Sequence, residues 1–131
     1  MPNLATSLNN LGIRYSDLGQ RSEALKATER ALDIYEKLAQ SNPDAFLPNL
    51  AMSLNNLGSD YSSLGKPEQA LEVSYRSVQL LARYFLALPE AFANSMQMYL
   101  SNYLQRCQAL EQEPDMDLIS PIIEALEKLQ N

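Results

Sequence analysis

The eleven residues that start at Pro2, PNLATSLNNLG, return from Pro48 as PNLAMSLNNLG, with only Thr6 replaced, by Met52. Over the 18 residues that start at each proline, the two copies share 14 identities at a spacing of 46 residues (48 − 2). Periods of about 20 to 50 residues are typical of repeat proteins, in which each unit buries its apolar face against its neighbours. The sequence therefore predicts a stack of repeats.

Small and apolar residues recur within each copy at steps of three and four, which places them on one stripe of a helix. They are Leu4, Ala5, Leu8, Leu11, Gly12, Tyr15 and Leu18 in the first copy and Leu50, Ala51, Leu54, Leu57, Gly58, Tyr61 and Leu64 in the second. Each stripe ends at a glycine, Gly19 or Gly65, and glycine readily adopts the left-handed conformation that ends a helix. A second apolar stripe follows each glycine, so each repeat reads as a pair of helices.

Prolines indicate where further helices begin. Asn42 and Pro43 predict a helix start with an asparagine cap and a proline in the first helical position. A degraded third unit follows, because Pro89 lies 46 residues after Pro43, although Glu111 stands where Gly65 predicts a glycine. Ser120 and Pro121 predict the start of the last helix.

These signals predict an all-α fold of six helices, arranged as an α-solenoid of three helix–turn–helix repeats. The predicted single domain, residues 1–131, divides into repeat one at 2–42, repeat two at 43–88 and a degenerate C-terminal capping repeat at 89–131. Terminal repeats of solenoids are usually atypical because one of their faces meets water instead of another repeat.

Composition argues against several functions. The net charge of −6, from 10 basic and 16 acidic residues, argues against nucleic-acid binding, which requires clustered basic side chains. The chain has no histidine and one cysteine, so no zinc site, internal disulfide or histidine base can form. No apolar run is long enough to cross a bilayer, and no leader pattern opens the chain. We therefore expect a chain that is not an enzyme, has no metal or cofactor, contacts no membrane and lies in the cytoplasm.

Cys107 occupies the repeat position of Tyr15 and Tyr61. We expect it to be a buried packing residue, and a reactive thiol is the alternative.

The pattern L-x-x-L-G-x-x-Y-x-x-x-G from Leu8 to Gly19, followed by Ala24 and Ala31, resembles the tetratricopeptide repeat. The second copy repeats it, with Ser77 in place of the second alanine. The period of 46 exceeds the usual 34 residues of that family, and the chain is similar to its longer-helix subclass, found in kinesin light chains and in many bacterial proteins.

The resemblance implies a right-handed superhelix whose first helices line a concave groove that takes up a peptide segment or a partner helix. It also implies a scaffold or adaptor for protein–protein interaction that has no chemistry of its own. Thr28 and Ser74 stand where the family prefers a large aromatic residue, which predicts looser pairing within each repeat. Two alternatives are a structural slice of a longer solenoid and a self-association module without a peptide ligand.

Packing accounts for the leucines and the glycine of the repeated SLNNLG, but it does not account for the asparagines. Asparagine is a mediocre helix former, yet Asn10, Asn56 and Asn102 recur at the period of 46. One carboxamide can pair with both the N–H and the C=O of an extended peptide, and in the family asparagines two residues before the motif glycine resemble a ladder that holds a ligand backbone. Bonds between neighbouring helices are the alternative role. The predicted peptide-binding residues are Asn10, Asn56, Asn102, Asn9, Asn55, Thr6, Met52, Met98 and Ser59.

The first helix is expected to expose apolar surface, including Leu4 and Leu8, because no earlier helix of this sequence covers it. Such a surface predicts either a fragment of a longer array or a protein that pairs this edge with a partner, such as a second copy in a homo-oligomer. The phase of Pro2, which matches that of Pro48, favours the fragment.

Overall fold

The computed structural model describes residues 2–130, which form six α-helices with no strand in this range. The helices are α1 (Pro2–Asp17), α2 (Arg21–Ser41), α3 (Pro43–Ser63), α4 (Pro67–Ala87), α5 (Pro89–Ala109) and α6 (Met116–Leu129). The predicted all-α class and the six helices are confirmed.

Each helix packs on the next one along the chain, α1 also touches α3, and α6 also touches α4. Contacts limited to near neighbours are typical of stacked repeats. Side chains link α1 to α3 and α3 to α5, and the surface that these three helices share is called the α1–α3–α5 face below. The helix order supports the proposed division into three repeats, which stays a prediction.

The turns after α1, α3 and α5 have the same backbone geometry. Gly19, Gly65 and Glu111 have φ angles of 75°, 72° and 53°. In each turn the amide of the next residue donates to the carbonyl oxygen five residues earlier, over 2.8 to 2.9 Å, which is the hydrogen bond of a Schellman motif. The third unit therefore keeps the turn without the glycine, and Glu111 carries the strain of a left-handed conformation.

Prolines begin four of the helices, which start at Pro2, Pro43, Pro67 and Pro89. Asn42 occupies the N-cap position of α3, but its side chain makes no capping bond, so that part of the prediction is wrong. Helix α3 continues through Pro48, although this proline has no N–H to donate.

The last helix starts earlier than predicted. Helix α6 begins at Met116 and contains Pro121. The carboxylate of Asp115 caps it by accepting from the N–H of Leu118 at 3.3 Å. The predicted start at Ser120 is therefore wrong, because an aspartate cap one turn upstream already satisfies the amides of the first turn.

The apolar core has two parts. The larger part contains residues of α3, α4, α5 and α6 and includes the fully buried Val78, Phe85 and Met96. The smaller part lies between α1, α2 and α3 around Tyr35 and Leu54. The predicted stripe of the second copy is buried from Leu50 to Gly58, whereas Leu4, Leu11 and Leu18 of the first copy are exposed.

The two helices of each repeat approach each other closely. A Cβ added to Gly12 would lie 2.7 Å from Oγ1 of Thr28, and one added to Gly58 would lie 2.9 Å from Oγ of Ser74. Both hydroxyls are buried and donate to a carbonyl oxygen one turn earlier in their own helix. The looser pairing expected from Thr28 and Ser74 is therefore not found, since a glycine opposite each small residue closes the gap.

Candidate functional site

Asn9 connects α1 to α3 inside the protein. Its Nδ2 donates to Oγ of Ser53 at 2.9 Å, and that hydroxyl donates to Oδ1 of Asn9 at 3.2 Å. Asn9 is 2% exposed and Ser53 is fully buried. The geometry of Asn9 therefore matches the alternative role, a bond between neighbouring helices, because its carboxamide faces the helix stack.

Asn55 makes the corresponding link between α3 and α5. Its Oδ1 accepts from Nδ2 of Asn102 at 3.0 Å, and its Nδ2 lies 3.9 Å from the weakly accepting Sδ of Met98. Asn55 is buried and Asn102 is half-buried. Asn102 keeps its oxygen and its second amide hydrogen for other partners.

Asn10 and Asn56 are the two carboxamides of the predicted set that make no bond across the stack. Asn10 is exposed on α1. Asn56 is half-buried, and its Nδ2 is a buried donor without a hydrogen-bond partner. Asn9 and Asn56 are the repeat equivalents of the bonded pair Asn55 and Asn102, but Asn9 is bonded to Ser53 instead. The donor of Asn56 is therefore free.

Thr6, Met52 and Met98 differ in how accessible they are. The hydroxyl of Thr6 shares a hydrogen bond of 2.9 Å with the hydroxyl of Tyr35. Met52 is half-buried against the larger core, and Met98 is exposed. Of these three predicted residues, Met98 offers the most apolar surface to a ligand.

Asp60 is a site residue that the sequence predictions missed. It lies one helical turn after Asn56, is 6% exposed, and its Oδ2 has no hydrogen-bond partner. Both side chains line a cleft of about 190 Å³ between α1, α2 and α3, called the α1–α3 cleft below. Its lining residues are Gly12, Ile13, Ser16, Asp17, Thr28, Asn56, Ser59 and Asp60. The cleft thus contains an unpaired donor and an unpaired acceptor on one helix face.

The surroundings of Asp60 disfavour its charge. Burial raises the pKa of its carboxyl group, and the carboxylate of Glu29 raises it further. The hydroxyl of Thr28 lies beside the carboxyl group and opposes this rise, although its only hydrogen donates to the carbonyl oxygen of Ala24. A cation in the cleft would supply the missing partner.

Arg106 stands on α5 at the repeat position of Asp60, 46 residues later. Its Nη1 donates to Ser74 at 2.8 Å, its Nη2 to Ser59 at 3.2 Å and its Nε to Ser62 at 3.3 Å. Burial lowers the pKa of this guanidinium, and within residues 2–130 no carboxylate forms an ion pair with it. Ser59, a predicted ligand contact, is therefore already bonded to Arg106.

A comparison of equivalent repeat positions could have found both residues. Arg14, Asp60 and Arg106 occupy one position of the three units, and the charge reverses at the middle one. Asp60 is thus the one acidic residue at this position of the three units.

Comparison with known families decides what kind of stack this is. The family model of the tetratricopeptide repeat matches residues 4–44 and 50–85, which lie mainly in the first two helix pairs. The chain belongs to the tetratricopeptide repeat family. Such repeats generally mediate protein–protein interactions. No curated protein matches the chain.

A second cavity of this tetratricopeptide repeat chain lies between α4, α5 and the segment before α6, with a volume of about 430 Å³. There the hydroxyl of Tyr75 donates to Asp115, and the hydroxyl of Tyr103 accepts from the backbone amide of Asp115 at 3.0 Å. Burial is the main cause that raises the pKa of Tyr103 to about 12. These groups fix the start of α6, and Cys107 beside them is buried, as predicted for a packing residue.

Residues 2–130 contain no group of three or more His, Cys, Asp or Glu side chains that could hold a metal ion. Among the six helices described, none is both long and apolar enough to cross a membrane.

Proposed function

We propose that this chain is an adaptor that binds an extended peptide segment of a partner protein on the α1–α3–α5 face. The observation that carries the proposal is the free donor of Asn56, a buried amide nitrogen without a hydrogen-bond partner on a side chain that lines the α1–α3 cleft. A buried polar group without a partner costs about 1 to 3 kcal/mol. A ligand carbonyl oxygen at this position would remove that cost.

The contacts on this face divide the predicted ligand residues into two groups. Asn10 and Asn56 have unused carboxamide groups, which suit the alternating N–H and C=O groups of a peptide backbone. Asn9 and Asn55 are used inside the stack, and Asn102 is used in part. We assign the backbone contacts to the first group.

We assign the apolar contact with the same ligand to Met98. This side chain is exposed next to the Asn55 and Asn102 pair, and methionine adapts its shape to different partners. We also infer that the chain acts by binding alone, since Tyr75, Tyr103 and Asp115 are used to fix the start of α6.

Retention of peptides on immobilised protein tests the proposal. A library of acetylated and amidated nonapeptides is passed over the wild type, the double variant Asn10→Ala/Asn56→Ala and the control Asn42→Ala. Each lost backbone pair should weaken binding about 2-fold to 10-fold, the ratio for a net hydrogen bond of about 0.5 to 1.5 kcal/mol. The control should bind as the wild type does, because the side chain of Asn42 makes no capping bond in the turn before α3. Equal retention by all three proteins would refute the assignment of Asn10 and Asn56.

Self-association through α1 is a second candidate function. Leu4 and Leu11 on α1 and Leu18 in the turn that follows it recur every seven residues and are exposed by 40%, 41% and 72%. Leu57, the equivalent of Leu11 in the second repeat, is 3% exposed. Leu8, which the sequence placed on this surface, is buried, since it faces the stack instead.

Sedimentation over a wide range of concentration tests the second candidate. A homo-oligomer should dissociate when Leu11 and Leu18 are both changed to Lys, and the exposed Leu88→Lys is the matched control. A wild type that is monomeric at every concentration would refute self-association.

A further inference from the structure

Arg106 fills the cleft between α3 and α5. Its guanidinium donates to the hydroxyls of Ser62 and Ser74 and lies so close to Gly58 that a Cβ there would be 3.2 Å from Nη1. Two hydroxyls and the bare backbone of one glycine thus form the walls of a slot for a planar cation.

The same walls recur one repeat earlier around an empty space. Ser16, Thr28 and Gly12 stand 46 residues before Ser62, Ser74 and Gly58, and all three line the α1–α3 cleft. Its volume of about 190 Å³ would hold on the order of six water molecules at about 30 Å³ each. The same slot therefore occurs in two neighbouring repeats. Arg106 fills the slot between α3 and α5, and the α1–α3 cleft is empty.

Asp60 is the reason that the first slot is open. It takes the place of Arg106 but is shorter and has the opposite charge, and its Oδ2 has no partner. Ile13, which replaces Ser59, adds an apolar wall on which the methylene groups of a long basic side chain can lie.

Charge in the cleft favours a cation. Among its lining residues in the described chain, Asp17 and Asp60 are acidic and none is basic. The neighbouring guanidinium of Arg106 lies beyond Ser59, to which it is bonded. Arginine matches a carboxylate with two parallel hydrogen bonds, which the round ammonium group of lysine cannot form.

We propose that the α1–α3 cleft binds the guanidinium group of an arginine in the partner peptide, with Asp60 as its carboxylate partner and Ser16 as a hydroxyl acceptor. The inference rests on the proposed function, since the arginine belongs to the peptide whose backbone Asn56 contacts. Arginine at this position would reproduce, from the partner, the contacts that Arg106 makes within the chain.

Three peptide pools test the inference. Each pool consists of acetylated and amidated nonapeptides with random flanks and a fixed central residue, which is arginine, lysine or citrulline, the neutral isostere of arginine. They are passed over the wild type, Asp60→Asn and Asp33→Asn, a control that removes the same charge from an exposed position on α2. The wild type and the control should retain the arginine pool at least about 10-fold more strongly than the citrulline pool, the lower bound for a hydrogen bond with a charged group. In Asp60→Asn this ratio should fall to about 1.

The outcomes separate the inference from the proposed function. Retention of all three pools alike would overturn the inference and leave the peptide-binding function standing. Equal retention of lysine and arginine would overturn the guanidinium slot in favour of a site for any cation. An arginine preference that survives in Asp60→Asn would place the arginine elsewhere, and no retention of any pool by the wild type would refute both.

Discussion

Asn9 and Asn10 are neighbours in the sequence, yet their replacement by alanine should have different effects on stability. Asn9 makes two hydrogen bonds with the buried Ser53, and a net hydrogen bond contributes about 1 kcal/mol. Asn10 is exposed. Both variants gain about 0.5 kcal/mol because alanine is the better helix former. We therefore expect Asn9→Ala to be less stable than Asn10→Ala by about 2 kcal/mol, since the propensity gain cancels in the comparison.

The expected difference in Tm follows from the size of the chain. An unfolding entropy of about 2.1 cal/mol/K per residue gives about 0.28 kcal/mol/K for 131 residues. A difference of 2 kcal/mol then corresponds to about 7 °C. Circular dichroism at 222 nm during heating and during urea titration measures both quantities on the two variants in parallel.

A double-mutant cycle identifies the partner. When Asn9 and Ser53 are both changed to Ala, the loss should be smaller than the sum of the two single losses by about 1 kcal/mol or more, because no buried polar group is then left unpaired. Equal stability of Asn9→Ala and Asn10→Ala would refute the reasoning, since it would mean that the buried pair contributes nothing.

Four further variants test the turns after α3 and α5, the slot that Arg106 fills and the open α1–α3 cleft. Glu111→Gly should stabilise the chain by about 0.5 to 1 kcal/mol, because glycine adopts a φ of 53° without strain. Gly65→Ala should destabilise it for the same reason. A urea midpoint for Glu111→Gly at or below that of the wild type would contradict the strain at Glu111. Arg106→Ala should lower the free energy of unfolding by about 2 kcal/mol through the loss of its serine bonds, and a loss below about 0.5 kcal/mol would show that these bonds do not stabilise the stack. Burial and Glu29 raise the pKa of Asp60, and Asp17 also lines its cleft. Ionisation of Asp60 therefore lowers the free energy of unfolding as the pH rises from the ordinary pKa of 3.8 through the raised pKa of the folded state. Asp60→Asn should therefore melt at a higher temperature than the wild type at pH 7 and lose this advantage below about pH 3.8; an advantage that does not depend on pH would exclude ionisation as its cause.

The sequence predicts the parts of the fold that depend on local signals. Gly19 and Gly65 end helices because glycine has no Cβ to clash in the left-handed region, and Pro43 starts one because the amides of the first turn have no partner within the helix. Each signal acts within a few residues, so one sequence suffices to read it.

The start of α6 depends on residues that are distant in the sequence. Ser120 and Pro121 look like a helix start, but Asp115 caps the helix, and Tyr75 and Tyr103 hold Asp115 from α4 and α5. These tyrosines lie 40 and 12 residues away from it. A local pattern carries no information about such contacts.

The roles of the asparagines depend on which partner each one meets. Asn9 and Asn55 are equivalent in the repeat, yet Asn9 pairs with Ser53 and Asn55 pairs with Asn102. The difference arises because Ser53 has Tyr99 as its equivalent in the third unit, and a tyrosine there does not replace the serine. A period shows which positions correspond, and only the packed structure shows which of them are already bonded.

Most of the residues that differ between the two copies lie at the α1–α3 cleft, which also contains the unpaired side chains of Asn56 and Asp60. Four positions differ between the first 18 residues of the two copies, and they are Thr6 and Met52, Ile13 and Ser59, Arg14 and Asp60, and Asp17 and Ser63. Three of these four positions contribute a side chain to the α1–α3 cleft. Stacking requires the same residues in each unit, because each unit buries the same face against its neighbour. Three of the four differences between the otherwise matching copies thus lie at the cleft where we propose that the partner's arginine binds.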